Sequence, residues 1–254
     1  MGSILVQNAT LRRIAYNAGL PQSLLTAARI SKRFGSNAAL AGVSFSVREN
    51  EVLGLIGPNG SGKTTLFECL AATIPADAGE VEFRGVTLAP AQRKNSIFYL
   101  PDSIRPWPDE RVHTVWKFFA AMFARDAGEI EVLSRDLDMA RFANARVGSL
   151  SKGELKRVLL AIGLLAPHPL LLFDEPFDGL DFRQARDVMA VLRAAASQRT
   201  LFLSIHQLND AARVCDRMVL LSRGHVAGEG TLDELRAASQ LGTGGLEEIF
   251  LALT

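Results

Sequence analysis

The sequence predicts an α/β fold in which a helical subdomain is inserted into a sheet core and a small antiparallel β region lies near the N-terminus. Three observations carry that expectation. The apolar run Val52–Ile56 leads into Gly57-Pro58-Asn59-Gly60-Ser61-Gly62-Lys63-Thr64 and then into a helix-forming segment over 65–72. A second apolar run, 170–173, ends in the adjacent carboxylates Asp174 and Glu175. Between the two, residues 102 to about 150 lose the strand pattern and take up helical periodicity. Strands alternating with helices imply an open sheet, which binds ligands at the carboxyl ends of its strands. The glycine spacing G-x-x-x-x-G-K-[ST] after a strand and before a helix makes that core a P-loop NTPase core.

Taken in order, residues 1–24 carry no periodic signal and are interrupted by Gly19-Leu20-Pro21, so they read as an N-terminal extension without an assigned role. The main domain spans 25–240, with its helical subdomain over about 102–165, and 241–254 reads as a C-terminal amphipathic helix. A period of two over 25–30, and again over 43–47 through Val43, Phe45 and Val47, predicts strands, with Phe34 in the connection between them. Pro75-Ala76-Asp77-Ala78-Gly79 turns the chain into a short strand over 80–83, and Ile97–Leu100 is a strand ended by Pro101. Helical periodicity over 112–127 and around 130–133 makes the insertion, and Leu150-Ser151-Lys152-Gly153-Glu154 opens a helix to about Leu165. After the strand 170–173 come a helix, Phe182–Ala196, a strand over 201–205 ending at His206, a helix, Leu208–Val214, and a hairpin turning near Gly224. Thr231 and Glu234 have capping-box spacing, and Leu246–Leu253 is a last amphipathic helix.

Composition narrows the function classes. A chain of 254 residues is long enough for one large α/β domain or two small ones. With 28 basic and 27 acidic residues the net charge is +1, which gives no general drive toward nucleic acid. The one asymmetry is that Arg12, Arg13, Arg29, Lys32, Arg33 and Arg48 all precede the first acid, Glu49; it reads as a solvated basic face rather than a membrane-surface patch, and a phosphate-facing surface would use it too. Cys69 and Cys215 fall in apolar, helix-like segments and are expected buried and reduced. No stretch reaches the roughly 18 apolar residues of a membrane span, and residues 1–20 lack a secretory h-region, so a cytoplasmic site is expected.

The chemistry sits in the polar punctuation. Glycines let successive backbone N–H groups approach a phosphate, Lys63 reaches the β- and γ-phosphates, and the hydroxyl of Thr64 is placed to ligate Mg²⁺ at a helix N-terminus. Asp174 can hold Mg²⁺ through water, and Glu175 can orient and deprotonate an attacking water. His206 is the only one of four histidines placed just after an apolar strand. Ser151 with Glu154 forms a capping box, and a capped helix start is itself an anion site, so both roles can hold. Asp181 with Gln184 reads equally as a helix start, and Phe34 equally as core packing.

Together these stretches, in this order across residues 25–235, resemble the nucleotide-binding subunit of ATP-binding cassette (ABC) transporters. The resemblance implies that Gly57, Pro58, Asn59, Gly60, Ser61, Gly62, Lys63 and Thr64 are the Walker A motif, with Thr65 completing the ATP-binding set and Phe34 stacking on adenine. It implies that 170–174 is Walker B, that Glu175 is the catalytic glutamate, that Asp181 belongs to the D-loop, and that His206 is the switch histidine. Ser151, Lys152, Gly153 and Glu154 fall on the signature motif, which acts on the ATP of a second cassette. Two departures stand out. The signature reads L-S-K-G-E where the family reads L-S-G-G-Q, and Asp102 occupies the Q-loop glutamine position, where a carboxylate could meet Mg²⁺. The implied cofactors are ATP and Mg²⁺, and the implied partners are a second ABC ATPase chain, identical or similar, and separate transmembrane permease subunits. Nucleic acid is not expected. The implied location is the cytoplasmic face of a membrane, and the tail 246–251 with Lys152 and Asp102 resembles the exporter group. A soluble ABC ATPase of DNA repair or translation, and an importer subunit, are the alternatives.

Overall fold

In the computed structural model of the protein, residues 23–102, 104–241 and 244–254 are described. The expected extension over 1–24 lies outside them except at 23–24. The alternating segments before the glycine loop pair with each other: β1 (Ser23–Phe34) and β2 (Asn37–Arg48) form an antiparallel hairpin across Gly35-Ser36. Both run beyond the predicted 25–30 and 43–47. A register break follows Ala27, where Arg29 takes a φ of 53°, and it interrupts the alternation that marks a strand in sequence. Phe34 is therefore the last residue of β1 rather than part of a connection. β4 (Ala78–Phe83) joins the other edge of β1, and the short β5 (Val86–Thr87) joins β4, giving a sheet of order β2-β1-β4-β5.

The second sheet holds β3 (Val52–Ile56), β6 (Ile97–Leu100), β7 (Leu170–Asp174), β8 (Thr200–Ile205), β9 (Arg217–Ser222) and β10 (His225–Gly230). Its order is β10-β9-β3-β8-β7-β6, parallel except for β10. Strands β3, β7 and β8 are buried along their whole length, as the unbroken apolar runs require of strands covered on both faces. Register then fixes the site. Ile56 lies opposite Ile205 and Asp174 opposite Ser204, so the loop after β3, the carboxylates after β7 and the histidine after β8 open on one edge.

Helices cover both faces. On one side α1 (Lys63–Ala71) sits between the sheets, with Phe67 packed edge-on to Phe202 at 4.9 Å and Phe202 against Phe45 at 5.3 Å. Burying each such ring contributes about 1.5–3 kcal/mol. A four-residue helix, α2 (Pro90–Arg93), follows β5, and neither of these two elements is long enough to show a period in sequence. The insertion contributes α3 (Val112–Met122), α4 (Ala127–Asp136) and α5 (Lys152–Leu165). The two helical runs expected over 112–127 and around 130–133 are both present with their boundary moved: the first stops at Met122 and the second begins at Ala127, where Asp126 caps it by accepting from the Glu129 N–H at 2.9 Å. Helix α5 is buried over nearly all its length and packs on β6 and β7 as well as on α3, tying insertion to core. The remaining helices are α6 (Phe182–Ala196), α7 (Leu208–Val214), α8 (Leu232–Ser239) and α9 (Leu246–Leu253). Both cysteines are free thiols: Cys69 is buried in α1 as expected, whereas Cys215, the residue that ends α7, is only partly buried, and desolvation raises the pKa of each.

Candidate nucleotide site

The glycine loop is shaped by what surrounds it. A Cβ on Gly57 would fall 2.3 Å from the Leu221 carbonyl oxygen, and Gly62, with a φ of 108°, passes within 2.6 Å of the Ala39 carbonyl oxygen at its Cβ position. Gly62 is the N-cap of α1, so Lys63 and Thr64 stand in the first helical turn. The Lys63 ammonium is buried and donates to the carbonyls of Gly57 at 2.8 Å and Pro58 at 3.2 Å. Burial lowers its pKa, with Glu175 and Asp174 pulling the other way. A desolvated cation held at a helix start by backbone carbonyls alone is suited to an incoming phosphate.

The carboxylates meet the loop from β7. The Thr64 hydroxyl donates to Asp174 Oδ2 at 2.9 Å, the Tyr99 hydroxyl lies 3.4 Å from the same oxygen, and Ser204 donates to Oδ1. Burial beside Asp174 pushes the Tyr99 phenol up, keeping it a donor. Glu175 has a left-handed backbone, φ 48°, and its carboxylate comes within 3.6 Å of His206 Nδ1. A cavity of about 500 Å³ is lined by Phe34, Asn59, Gly60, Gly62, Lys63, Thr64, Thr65 and Glu175, with Asn37–Ala39 and Arg223-Gly224 on its other walls; Asp174 and His206 adjoin it through Thr64 and Glu175. Phe34 is half exposed there and is not a core residue, which decides between its two sequence readings. Its ring also carries the Lys32 ammonium 5.6 Å from its centroid.

The signature stretch lies elsewhere, at the start of α5. Ser151 is the N-cap: its backbone N–H and its hydroxyl both donate to Glu154 Oε2, at 2.9 and 2.8 Å, and its oxygen receives the Glu154 N–H at 3.3 Å. Those bonds hold the Glu154 carboxyl below its ordinary range. Lys152 forms an ion pair with Asp178, and its stem fills the space beside Gly179, where a Cβ would meet it at 2.5 Å. Asp181 caps α6, accepting from the Gln184 N–H at 2.9 Å.

Comparison with known proteins gives the same arrangement a family. The ABC transporter family profile matches residues 40–178. An ABC transporter ATP-binding protein of Methanocaldococcus jannaschii is 32% identical over 213 residues, covering 81% of this chain and 77% of that one. The chain belongs to the ABC transporter family. A Nod factor export ATP-binding protein of Rhizobium etli is 33% identical over 214 residues, covering 81% and 67% of the two chains. Among solved structures, the ATP-binding subunit of an ABC transporter superposes with a TM-score of 0.81 at 26% identity, over 91% of this chain and 99% of that one. The protein is an ABC ATPase, which binds and hydrolyses ATP.

Within the ABC cassette two points go beyond the motifs. Asp102, at the Q-loop position, is engaged by Lys156 of α5, 2.5 Å from its Oδ1, with the lysine almost wholly buried. The carboxylate that sequence offered to Mg²⁺ thus joins the loop after β6 to the helix that begins with the signature. The pocket walls Asn37–Ala39 and Arg223-Gly224, and the supports Tyr99 and Ser204, carry no motif. Only the hairpin turn at Gly224 had a signal in sequence, and nothing in it said that the turn would reach the loop.

Proposed function

We propose that this chain is the ATP-hydrolysing subunit of an exporter, working at the cytoplasmic face of a membrane with separate transmembrane subunits and a second ABC cassette. The observation that carries the proposal is the meeting at one sheet edge of a buried, carbonyl-held Lys63, the Thr64–Asp174 pair, and Glu175 within reach of His206, with Lys63, Thr64 and Glu175 lining one cavity. The hydroxyl and carboxylate oxygens of Thr64 and Asp174, already 2.9 Å apart and hard in character, fit Mg²⁺. When bound there, Mg²⁺ neutralises charge on phosphate oxygens. The chain's own groups do the rest. Lys63 and the N–H groups of residues 57–64 bind the phosphates, Phe34 offers a ring to the base, Glu175 orients a water and takes its proton, and His206 steadies Glu175.

Ser151 and Gly153 stand at the start of α5, apart from this cavity, so they are assigned to the ATP of a partner cassette, with Asp181 beside the joint. Two such chains, identical or similar, then enclose two nucleotides. Among the described residues no helix is long and apolar enough to cross a membrane, and the transmembrane work is assigned to other subunits. Export is favoured over import by the Nod factor export relative. Affinity purification of the chain from gently solubilised membranes tests the reading. A stoichiometric multi-span protein is expected, and recovery of only ribosomes, nucleic acid or soluble proteins would overturn it. Uptake of a substrate driven by the purified complex in inward-facing orientation would overturn export alone.

A further inference from the structure

The motif residues do not by themselves account for how Asp174 and Glu175 are held. Asp174 is a buried carboxylate at a strand end, and Glu175 follows it with a backbone at φ 48°, a region a residue with a Cβ occupies only when its surroundings impose it. One side chain touches both. The Ser204 hydroxyl donates to Asp174 Oδ1 and accepts the Glu175 backbone N–H at 2.9 Å. Ser204 is fully buried in β8, directly opposite Asp174 in parallel register and two residues before His206. Its one hydrogen and an acceptor lone pair are both committed.

We propose that Ser204 is a positioning residue for ATP hydrolysis, orienting the Asp174 carboxylate and fixing the strained Glu175 turn through a single hydroxyl. With Oδ1 bound to Ser204, the oxygen turned to the site is Oδ2, the one shared with Thr64. With the Glu175 N–H bound, the turn that brings its carboxylate to His206 Nδ1 cannot relax. The same strand therefore sets the metal carboxylate, the base and the histidine in one register. A hydroxyl that merely satisfied a buried N–H would affect folding and leave chemistry and metal binding alone. The inference rests on Asp174 being the Mg²⁺ carboxylate and Glu175 the base.

The test compares Ser204→Ala and Ser204→Thr with the wild-type chain and with Glu175→Gln. Turnover, equilibrium ATP binding, thermal melting, and Mn²⁺ binding with a non-hydrolysable ATP analogue, read by electron paramagnetic resonance, are measured on each. Loss of hydrogen bonds to a charged group and to a strained turn should lower kcat of Ser204→Ala about 10- to 100-fold. ATP affinity should stay within about twofold and Mn²⁺ affinity should fall about 3- to 10-fold, while Ser204→Thr, which keeps the hydroxyl, restores both. Should Ser204→Ala not fold, Ser204→Cys, a weaker donor and acceptor on a side chain of the same connectivity, is read by the same criteria. Wild-type kcat and Mn²⁺ binding in a folded hydroxyl-free variant overturn the proposal, as does a Ser204→Thr that melts normally and is as impaired as Ser204→Ala. Full turnover in Glu175→Gln would instead remove the reading on which it rests. An inactive Glu175→Gln beside an unimpaired Ser204→Ala removes the positioning role alone.

Discussion

The two ends of the ATPase machinery are built by opposite means. At the phosphate loop, Lys63 and Asp174 are each about 5% exposed; Lys63 is held by carbonyls of its own loop, and Asp174 by Thr64 of α1 and by Tyr99 and Ser204 of the neighbouring strands. At the signature, Ser151 and Lys152 stand exposed on a helix start, held by a local capping box and by one ion pair to Asp178. The first combines short-range carbonyl contacts of Lys63 with contacts to Asp174 from residues 30 to 110 positions away, and the second rests on contacts within a few residues of itself plus one loop. On the proposed assignment, Lys63 and Asp174, which serve the chain's own nucleotide, are locked in the core, whereas Ser151 and Lys152, offered to a neighbour, are prefolded at the surface. Damage to the first should stop chemistry in every state, and damage to the second should matter when two cassettes meet.

The largest expected effect breaks the core side. Glu175→Gln should lower turnover by roughly 10² to 10⁴, about 3 to 5 kcal/mol of barrier, with ATP binding intact by equilibrium titration. Lys63→Ala should weaken ATP binding itself by at least about tenfold, since it removes the one buried cation of the loop. Equal affinities in calorimetry would contradict the loop assignment. On the surface side, Ser151→Ala should cost about 1 kcal/mol in denaturant unfolding through the lost cap. It should also reduce turnover while leaving ATP binding to the isolated chain unchanged, which separates the cap from the proposed role in the partner's site.

The smallest effect is at Lys152→Ala, no more than about 0.5 kcal/mol of stability for an exposed ion pair. Its signature is in pH. The hydrogen bond from Lys152 holds the Asp178 carboxyl below its ordinary range. A depressed carboxylate stabilises the fold above its unfolded pKa and loses that contribution as pH falls through its folded value. The melting difference between wild type and Lys152→Ala should therefore be present at neutral pH and close on the acid side. A difference that persists unchanged at acid pH would show that the lysine stem packing beside Gly179, and not the charge, is what counts.

How much of this was legible follows the same division. Local signals read well: the helices Phe182–Ala196, Leu208–Val214 and Leu246–Leu253 and the caps at Ser151, Asp181 and Thr231 lie where period and capping spacing put them. The strand β1 was cut short because its register break after Ala27 and its polar end, Ser31-Lys32-Arg33, carry no apolar alternation. That error placed Phe34 in a loop. Ser204, Tyr99, Asn37–Ala39 and Arg223 were invisible for a different reason: each enters the site by pairing or packing across long stretches of chain, and a serine in a strand announces nothing about the carboxylate beside it. Asp102 was seen, but its partner Lys156 was hidden in the apolar period of α5.

The left-handed backbone at Glu175 has a consequence for how the protein is kept in balance between durability and work. If folding alone chose the residue there, it would choose glycine, which accepts that conformation freely, whereas a side chain costs about 1–2 kcal/mol. Glu175→Gly should accordingly melt no lower than Glu175→Gln, although it removes more atoms, and a lower melting point would locate the strain elsewhere. The acid that the proposed role of base requires at this position is one that stability alone would replace.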